Sequence, residues 1–183
     1  LFANARDALR SQPPGGEKGA NTCDGVGRRA DEGTAGGYWR PGQWPSIGIR
    51  PHTVCGPGRG QGVTAAATKA VLATAAGQRF TIPFDGPIML QHTVEVADAF
   101  IRAARAGVDG AHVCDLRGAD TTIGEVVAAI KQATSEALVR IDGDPLPFAC
   151  GLDDRELREL VGDWPRIDLA AGVAQTIQSF KDL

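Results

Sequence analysis

Paired cysteines are missing from this chain. Cys23, Cys55, Cys114 and Cys150 are scattered, none forms C-x-x-C, and no histidine stands at zinc-finger spacing from any of them. That excludes a zinc ribbon and a disulfide scaffold, and all four are expected as reduced thiols of a cytoplasmic protein. His112-Val113-Cys114 puts two ligand types on one strand face, but two residues are not a metal site, and a buried histidine and cysteine are expected there instead. No run of about 18 apolar residues exists, so no membrane span is expected. The start, Leu1-Phe2-Ala3-Asn4-Ala5-Arg6, lacks the basic head and apolar centre of a secretory signal. A net charge of −3 makes no electrostatic case for nucleic acid or an anionic membrane as partner. Two phosphate-binding patterns are also missing. Counted from Gly56, G-x-G-x-x-G needs a glycine where Gln61 stands, and no Gly-Lys-Ser/Thr follows as a P-loop requires.

What is present is an ordinary globular composition, 43% hydrophobic and 22% charged over 183 residues, a length that fits one domain. Residues 1–23 contain Ser11-Gln12-Pro13-Pro14-Gly15-Gly16 and too little apolar matter for a core, so they are expected to be irregular and exposed or disordered. Residues 24–183 form the folded part. A weak helix is expected over 28–39, diluted by Gly33, Gly36 and Gly37 and ended by Pro41.

The stretch the chain is organised around is 45–62, P-S-I-G-I-R-P-H-T-V-C-G-P-G-R-G-Q-G. Ile47 and Ile49 alternate along a short strand, and Pro51 cannot donate to a ladder, so regular pairing ends near it. The glycines that follow read as a mobile loop with positive-φ positions or as the wall of a ligand cleft, since open α/β sheets bind ligands beyond strand carboxyl ends. Val63, Ala67, Ala70, Val71 and Thr74 form one stripe of a helix over 64–77 closed by Gly77. Residues 79–82 and 88–92 read as two strands of a hairpin around Phe84-Asp85-Gly86-Pro87. A helix follows over 93–106 with Val96, Phe100 and Ala103 inward, then a strand over 110–116. Thr122 and Glu125 make a capping box for a helix carrying Ile123, Val126, Val127 and Ile130. A short strand over 137–141, a helix capped by Asp153 with Leu157 inward, a core anchor at Trp164 and a last helix capped by Asp168 complete the order.

As a set, these strings resemble the extended short-chain dehydrogenases, the NAD-dependent epimerase/dehydratase family. I-R-P-H-T-V-C-G-P-G-R (49–59) is similar to that family's L-R-P-x-x-V-Y-G-P-G-R, with Cys55 at the tyrosine. T-V-E-V-A-D-A-F (93–100) is similar to V-D-D-V-A-x-A-F, and G-L-D-D-R-E-L-R-E-L-V-G-D-W-P-R (151–166) to the family's closing pattern ending in W-x-P-R. The resemblance covers roughly residues 25–183. It implies an α/β fold: a partial Rossmann-like sheet of late strands with the small carboxyl-terminal substrate domain. The phosphate turn G-x-x-G-x-x-G and its acidic ribose partner are absent from the chain, which begins with leucine, so it is expected to be a carboxyl-terminal fragment.

The family's activity would be NAD- or NADP-dependent epimerisation or dehydration of a sugar or nucleotide-sugar. Its acid/base pair is Y-x-x-x-K, placed on one helix face by the i, i+4 spacing. Counting back from Glu32 puts Asp24 at the tyrosine and Arg28 at the lysine. Arg28 retains a cation for a ribose or phosphate. Asp24 does not replace a phenol, since it is ionised near neutral pH and Arg28 pushes its pKa lower still. By resemblance, Arg50, Pro51 and His52 line the nicotinamide side, while Thr53, Gly56 and Arg59 lean toward substrate. The 79–92 hairpin belongs to the family's substrate side, where Gln91 and His92 face the cleft as substrate-binding residues or else the surface. The family's dimers pack the Y-x-x-x-K helix, which makes 28–39 a homodimer candidate. The competing expectation is a catalytically inactive, degenerate or truncated relative with a binding or structural role.

Overall fold

The structure is a computed structural model describing residues 45–148 and 150–182. Asp24, Arg28, Cys23 and the expected helix over 28–39 lie outside the described residues. In chain order the elements are β1 (Ser46–Arg50), β2 (Thr53–Cys55), a 3-10 turn (Val63–Ala65), α1 (Ala66–Ala75), β3 (Phe80–Ile82), β4 (Pro87–His92), α2 (Thr93–Arg105), β5 (Ala111–Asp115), β6 (Ala119–Thr122), α3 (Ile123–Ala133), β7 (Val139–Ile141), α4 (Arg155–Val161) and α5 (Leu169–Lys181).

Three small sheets organise them. β1 pairs in parallel with β5, Ser46 opposite Ala111 and Arg50 opposite Asp115. β4 is the centre of a mixed sheet, parallel to β2 and antiparallel to β6. β3 pairs in parallel with β7. Two cores follow. Ile47 and Ile49 of β1 pack with Cys114, Leu116, Ala99, Leu157 and Trp164, so α2 and α4 share one face of the parallel pair. The larger core joins α1, α3 and α5 through Ala67, Val71, Ile123, Ile130, Val173 and Ile177, with Phe84 inside it.

Several expectations are borne out at residue level. Ile47 and Ile49 are buried and β1 ends at Arg50, one residue before the proline. The capping box of α3 is complete: Thr122 Oγ1 accepts from Glu125 N at 3.1 Å and Glu125 Oε2 accepts from Thr122 N at 2.8 Å. Asp168 Oδ1 accepts from Ala171 N at 3.0 Å at the start of α5, and Trp164 is buried. α1 ends as expected at Gly77, where Gln78 N bonds Ala73 O and Gly77 N bonds Thr74 O, the paired bonds of a Schellman cap.

Three expectations are corrected. Residues 79–82 and 88–92 do not form a hairpin. Between β3 and β4 the chain runs alongside 142–146, with Asp142 N bonding Ile82 O, Asp85 N bonding Asp144 O and Leu146 N bonding Asp85 O. Phe84, 1% exposed, drops into the core at the place where a hairpin would turn outward. Val63 is 58% exposed because the first turn of the expected helix is 3-10, which takes it off the stripe that keeps Ala67, Ala70, Val71 and Thr74 inside. At α4 the N-cap position belongs to Asp154, and Asp153 accepts from Arg155 N at 3.0 Å.

Asp154 is buried and takes two arginines instead of a helix N–H: Arg158 Nε at 3.2 Å and Arg166 Nη2 at 2.5 Å. Arg166 also donates to the Arg117 carbonyl, and the Arg158 guanidinium lies 4.3 Å from the Trp164 ring centroid. The closing D-x-x-x-R…W-P-R string thus binds the tail to the connection between β5 and β6. Among the described residues no helix is long and apolar enough to cross a membrane.

Candidate functional site

The site is built at the carboxyl end of β1. Leu116 N bonds Arg50 O, the last β1–β5 bond, and Pro51 then leaves the next ladder position without a donor. The chain turns, and His52 N donates to Gln91 Oε1 at 2.8 Å. The other end of the same amide donates to the Leu116 carbonyl. Gln91 is 1% exposed, so one buried side chain closes two main-chain groups that a strand partner would otherwise satisfy.

His52 is also 1% exposed. Its Nδ1 lies 3.0 Å from Met89 O and 3.2 Å from Thr53 Oγ1. A carbonyl only accepts, so the proton sits on Nδ1. Nε2 is buried without a partner, and the ring meets Phe148 edge-on at 5.6 Å. Burial pushes the His52 pKa below its ordinary value, against the Met89 carbonyl and the more distant Asp120, which raise it. Arg50 leaves this cluster: its guanidinium points to Asp115, Nη1 to Oδ1 3.8 Å.

The glycine loop has a defined shape. Arg59 N bonds Gly56 O at 3.2 Å, and Gly58 has φ +86°, which makes Gly56-Pro57-Gly58-Arg59 a type II turn with proline and glycine at its two central positions. Gly56 is needed for a different reason. A Cβ there would lie 2.4 Å from Thr93 Oγ1, so the loop sits directly on the first residue of α2. Arg59 folds back over the loop, donating to Gln61 O at 2.6 Å and Thr64 Oγ1 at 2.8 Å.

His92 is the N-cap of α2. Its Nδ1 accepts from Val94 N at 3.3 Å, and its own N–H goes to Glu95 Oε2 at 3.2 Å. Its Nε2 lies 3.3 Å from Thr176 Oγ1 on α5. The second oxygen of Glu95 accepts from Ile167 N, so a buried carboxylate joins α2 to the segment leading into α5. Burial pushes the His92 pKa down, and the Glu95 charge opposes this. A cavity of about 20 Å³, room for one water, lies between Cys55, His92, Asp168 and Gly172. Cys55 is held protonated by burial, and Cys114 is pushed up to about 12 by burial and by Glu156 and Asp115. Neither is a thiolate nucleophile.

The structure thus brings Pro51, His52, Thr53 and Gln91 together, sets Gly56, Arg59 and His92 around the start of α2, and turns Arg50 aside. Neither Gln91 nor His92 is a surface residue. Glu95 and Asp154 were not singled out as site or tie residues in the sequence, and their partners, Ile167 and Arg166, lie 72 and 12 residues away. Among the described residues no group of three or more metal-ligating side chains exists. The glycine loop leads through Gly62 into the 3-10 turn, not into a glycine-headed α-helix.

No protein-family model matches the sequence, and no curated protein matches it. Solved structures do share the fold. MoeE5, in complex with UDP-glucuronic acid and NAD, superposes with a TM-score of 0.77 at 21% identity, over 99% of this chain and 64% of its own. A UDP-N-acetylglucosamine 4-epimerase from Methanobrevibacter ruminantium M1 gives 0.75 at 19% identity, over 98% and 61%. TunA, a NAD-dependent NDP-hexosamine 5,6-dehydratase, gives 0.74 at 16% identity, over 99% and 62%. The chain spans between 61% and 64% of the length of these structures. At such identities the likeness establishes the fold alone, a Rossmann-like α/β architecture shared with part of each of these structures.

Proposed function

We propose, from that shared fold, that residues 24–183 are the late-strand and substrate-side part of an NAD- or NADP-dependent epimerase or dehydratase acting on a sugar or nucleotide-sugar in a longer form. One observation carries the reading. At the carboxyl end of a parallel strand, the Arg50-Pro51-His52 turn is clamped by Gln91 and followed by a built glycine turn. The backbone of Arg50, Pro51 and His52 then forms the nicotinamide wall. Thr53, Gly56 and Arg59 border the substrate, and Gln91 and His92 hold the wall from behind. Arg28 holds the cofactor ribose, and Asp24 stands in the place of the acid. The pyrophosphate belongs to a glycine turn that the longer form would supply.

A second reading is an inactive relative with a binding or structural role. Arg59 and Gln91 are already engaged within the chain, and Asp24 and Arg28 stand where the family has tyrosine and lysine. The two readings part in one experiment. The chain is joined to the part of MoeE5 that it does not cover, and NAD binding and UDP-sugar conversion are measured, with and without Asp24→Tyr and Arg28→Lys. The enzyme reading expects NAD binding in both forms and turnover at least in the double variant. NAD binding without turnover in either form favours the inactive relative. No NAD binding in a folded product contradicts the nicotinamide wall.

A further inference from the structure

The corner around His92 is held by bonds that only a neutral imidazole makes. Thr176 Oγ1 donates to Gly172 O at 2.7 Å, so toward the ring it only accepts. His92 Nε2, 3.3 Å from that oxygen, therefore carries the proton. Nδ1 is bare and accepts the Val94 N–H, one of the orphan donors in the first turn of α2. A second proton has only Nδ1 to go to, and there it faces another N–H.

We propose that His92 is a proton-sensitive latch: protonation at Nδ1 cancels its cap on α2 and opens the contact between the β4–α2 junction and the 167–172 segment that begins α5. The charged and titratable groups around the ring set how it opens. From α2 comes Glu95, whose oxygens hold His92 N–H and Ile167 N–H. From the 167–172 segment comes Asp168, at present the cap of α5, and from β2 the protonated Cys55 thiol. From α5 the ring meets Thr176 and Gly172, which carry no charge. A cationic ring draws the Glu95 carboxylate, and as that carboxylate turns it releases Ile167. Water then enters the small cavity between Cys55, His92 and Gly172.

His52 reinforces the same direction from the other side of Gln91. Its Nδ1 proton is committed to Met89 O, and a second proton on Nε2 has no acceptor. Asp120 is the carboxylate that acts on it.

The test is NMR of the full chain from pH 7.5 to 5.0, following the His92 imidazole and the amide protection factors of Val94 and Ile167. The imidazole is expected to stay neutral through about pH 6.5, the ordinary histidine value. From about pH 6.5 downward, protection at Val94 and Ile167 is expected to fall by up to about tenfold per pH unit and to level off where the folded imidazole takes its proton. In His92→Asn, whose side-chain oxygen caps a helix without titrating, protection is expected to stay flat. Protection unchanged from pH 7.5 down to the imidazole titration overturns the latch, and so does an equal loss in His92→Asn. Should that variant not fold, the wild-type curves decide alone, because protection that keeps falling below the imidazole transition also overturns it.

Discussion

Two corners of the molecule do the same mechanical task with different chemistry. At the end of β1, the turn into β2 is held by neutral groups: the Gln91 amide, the His52 ring and three main-chain positions, His52 N, Met89 O and Leu116 O. At the tail, the segment from α4 to α5 is held by ions, Asp154 between Arg158 and Arg166, with Arg158 over Trp164. In the neutral corner both ends of a planar amide are fixed on main-chain groups. The charged corner holds a longer excursion of chain, since arginine's fork reaches a carboxylate and a carbonyl together. The corner that borders the proposed cofactor wall is thus the one tied by uncharged groups, and its weak point is proton uptake.

Substitutions separate the two. Asp154→Ala has the largest expected effect, about 3–5 kcal/mol, because it removes two charge-assisted hydrogen bonds, to Arg158 and Arg166, of about 1.5–3 kcal/mol each, although Arg158 keeps Asp163; a fall in the urea midpoint with an unchanged slope measures it. Gln91→Leu follows at about 2–4 kcal/mol, since His52 N and Leu116 O are both left buried without partners. The same variant is expected to weaken NAD binding in the joined protein more than Asp154→Ala does. Gly56→Ala is expected to cost about 1–3 kcal/mol, from a Cβ 2.4 Å from Thr93 Oγ1 at φ +139°. Arg59→Ala sits at the bottom, about 0.5 kcal/mol, because its bonds are made within a partly exposed loop.

Acid sharpens the contrast. His52 and His92 both have folded pKa values below the ordinary one, so the unfolded chain takes up protons first as pH falls. Their stabilising contribution is whole above about pH 6.5 and is lost from there down to their folded values, by up to about 1.4 kcal/mol per pH unit for each ring. Urea midpoints at pH 7.5, 6.5 and 5.5 are expected to fall in the wild type and to fall less in His52→Gln.

The local parts of this fold were legible in the sequence. The Ile47/Ile49 alternation, the Thr122–Glu125 box and the Asp168 cap each need only neighbours within a turn or a strand. The resemblance of 49–59 also pointed to the corner where His52 and Gln91 meet. What stayed hidden is long-range. Gln91 reaches Leu116 across 25 residues, Glu95 reaches Ile167 across 72, and Arg140 Nε on β7 reaches Thr81 on β3 across 59. A short run such as 80–82 carries no mark of which strand it joins, so proximity in sequence favours 88–92, whereas it pairs with β7 and Phe84 is buried between the two. Asp154 and Asp153 are adjacent carboxylates before one helix, and the arginines that meet Asp154, Arg158 and Arg166, mark it as the one that turns inward.

The most direct measurement of the central claim, that a neutral lattice sets the turn after β1, is the nitrogen NMR spectrum of the His52 ring at pH 7. The account predicts a neutral ring protonated at Nδ1, with a slowly exchanging proton shared with Met89 O, and loss of that slow exchange in Gln91→Leu. A ring protonated at Nε2, or a cationic one at that pH, contradicts it.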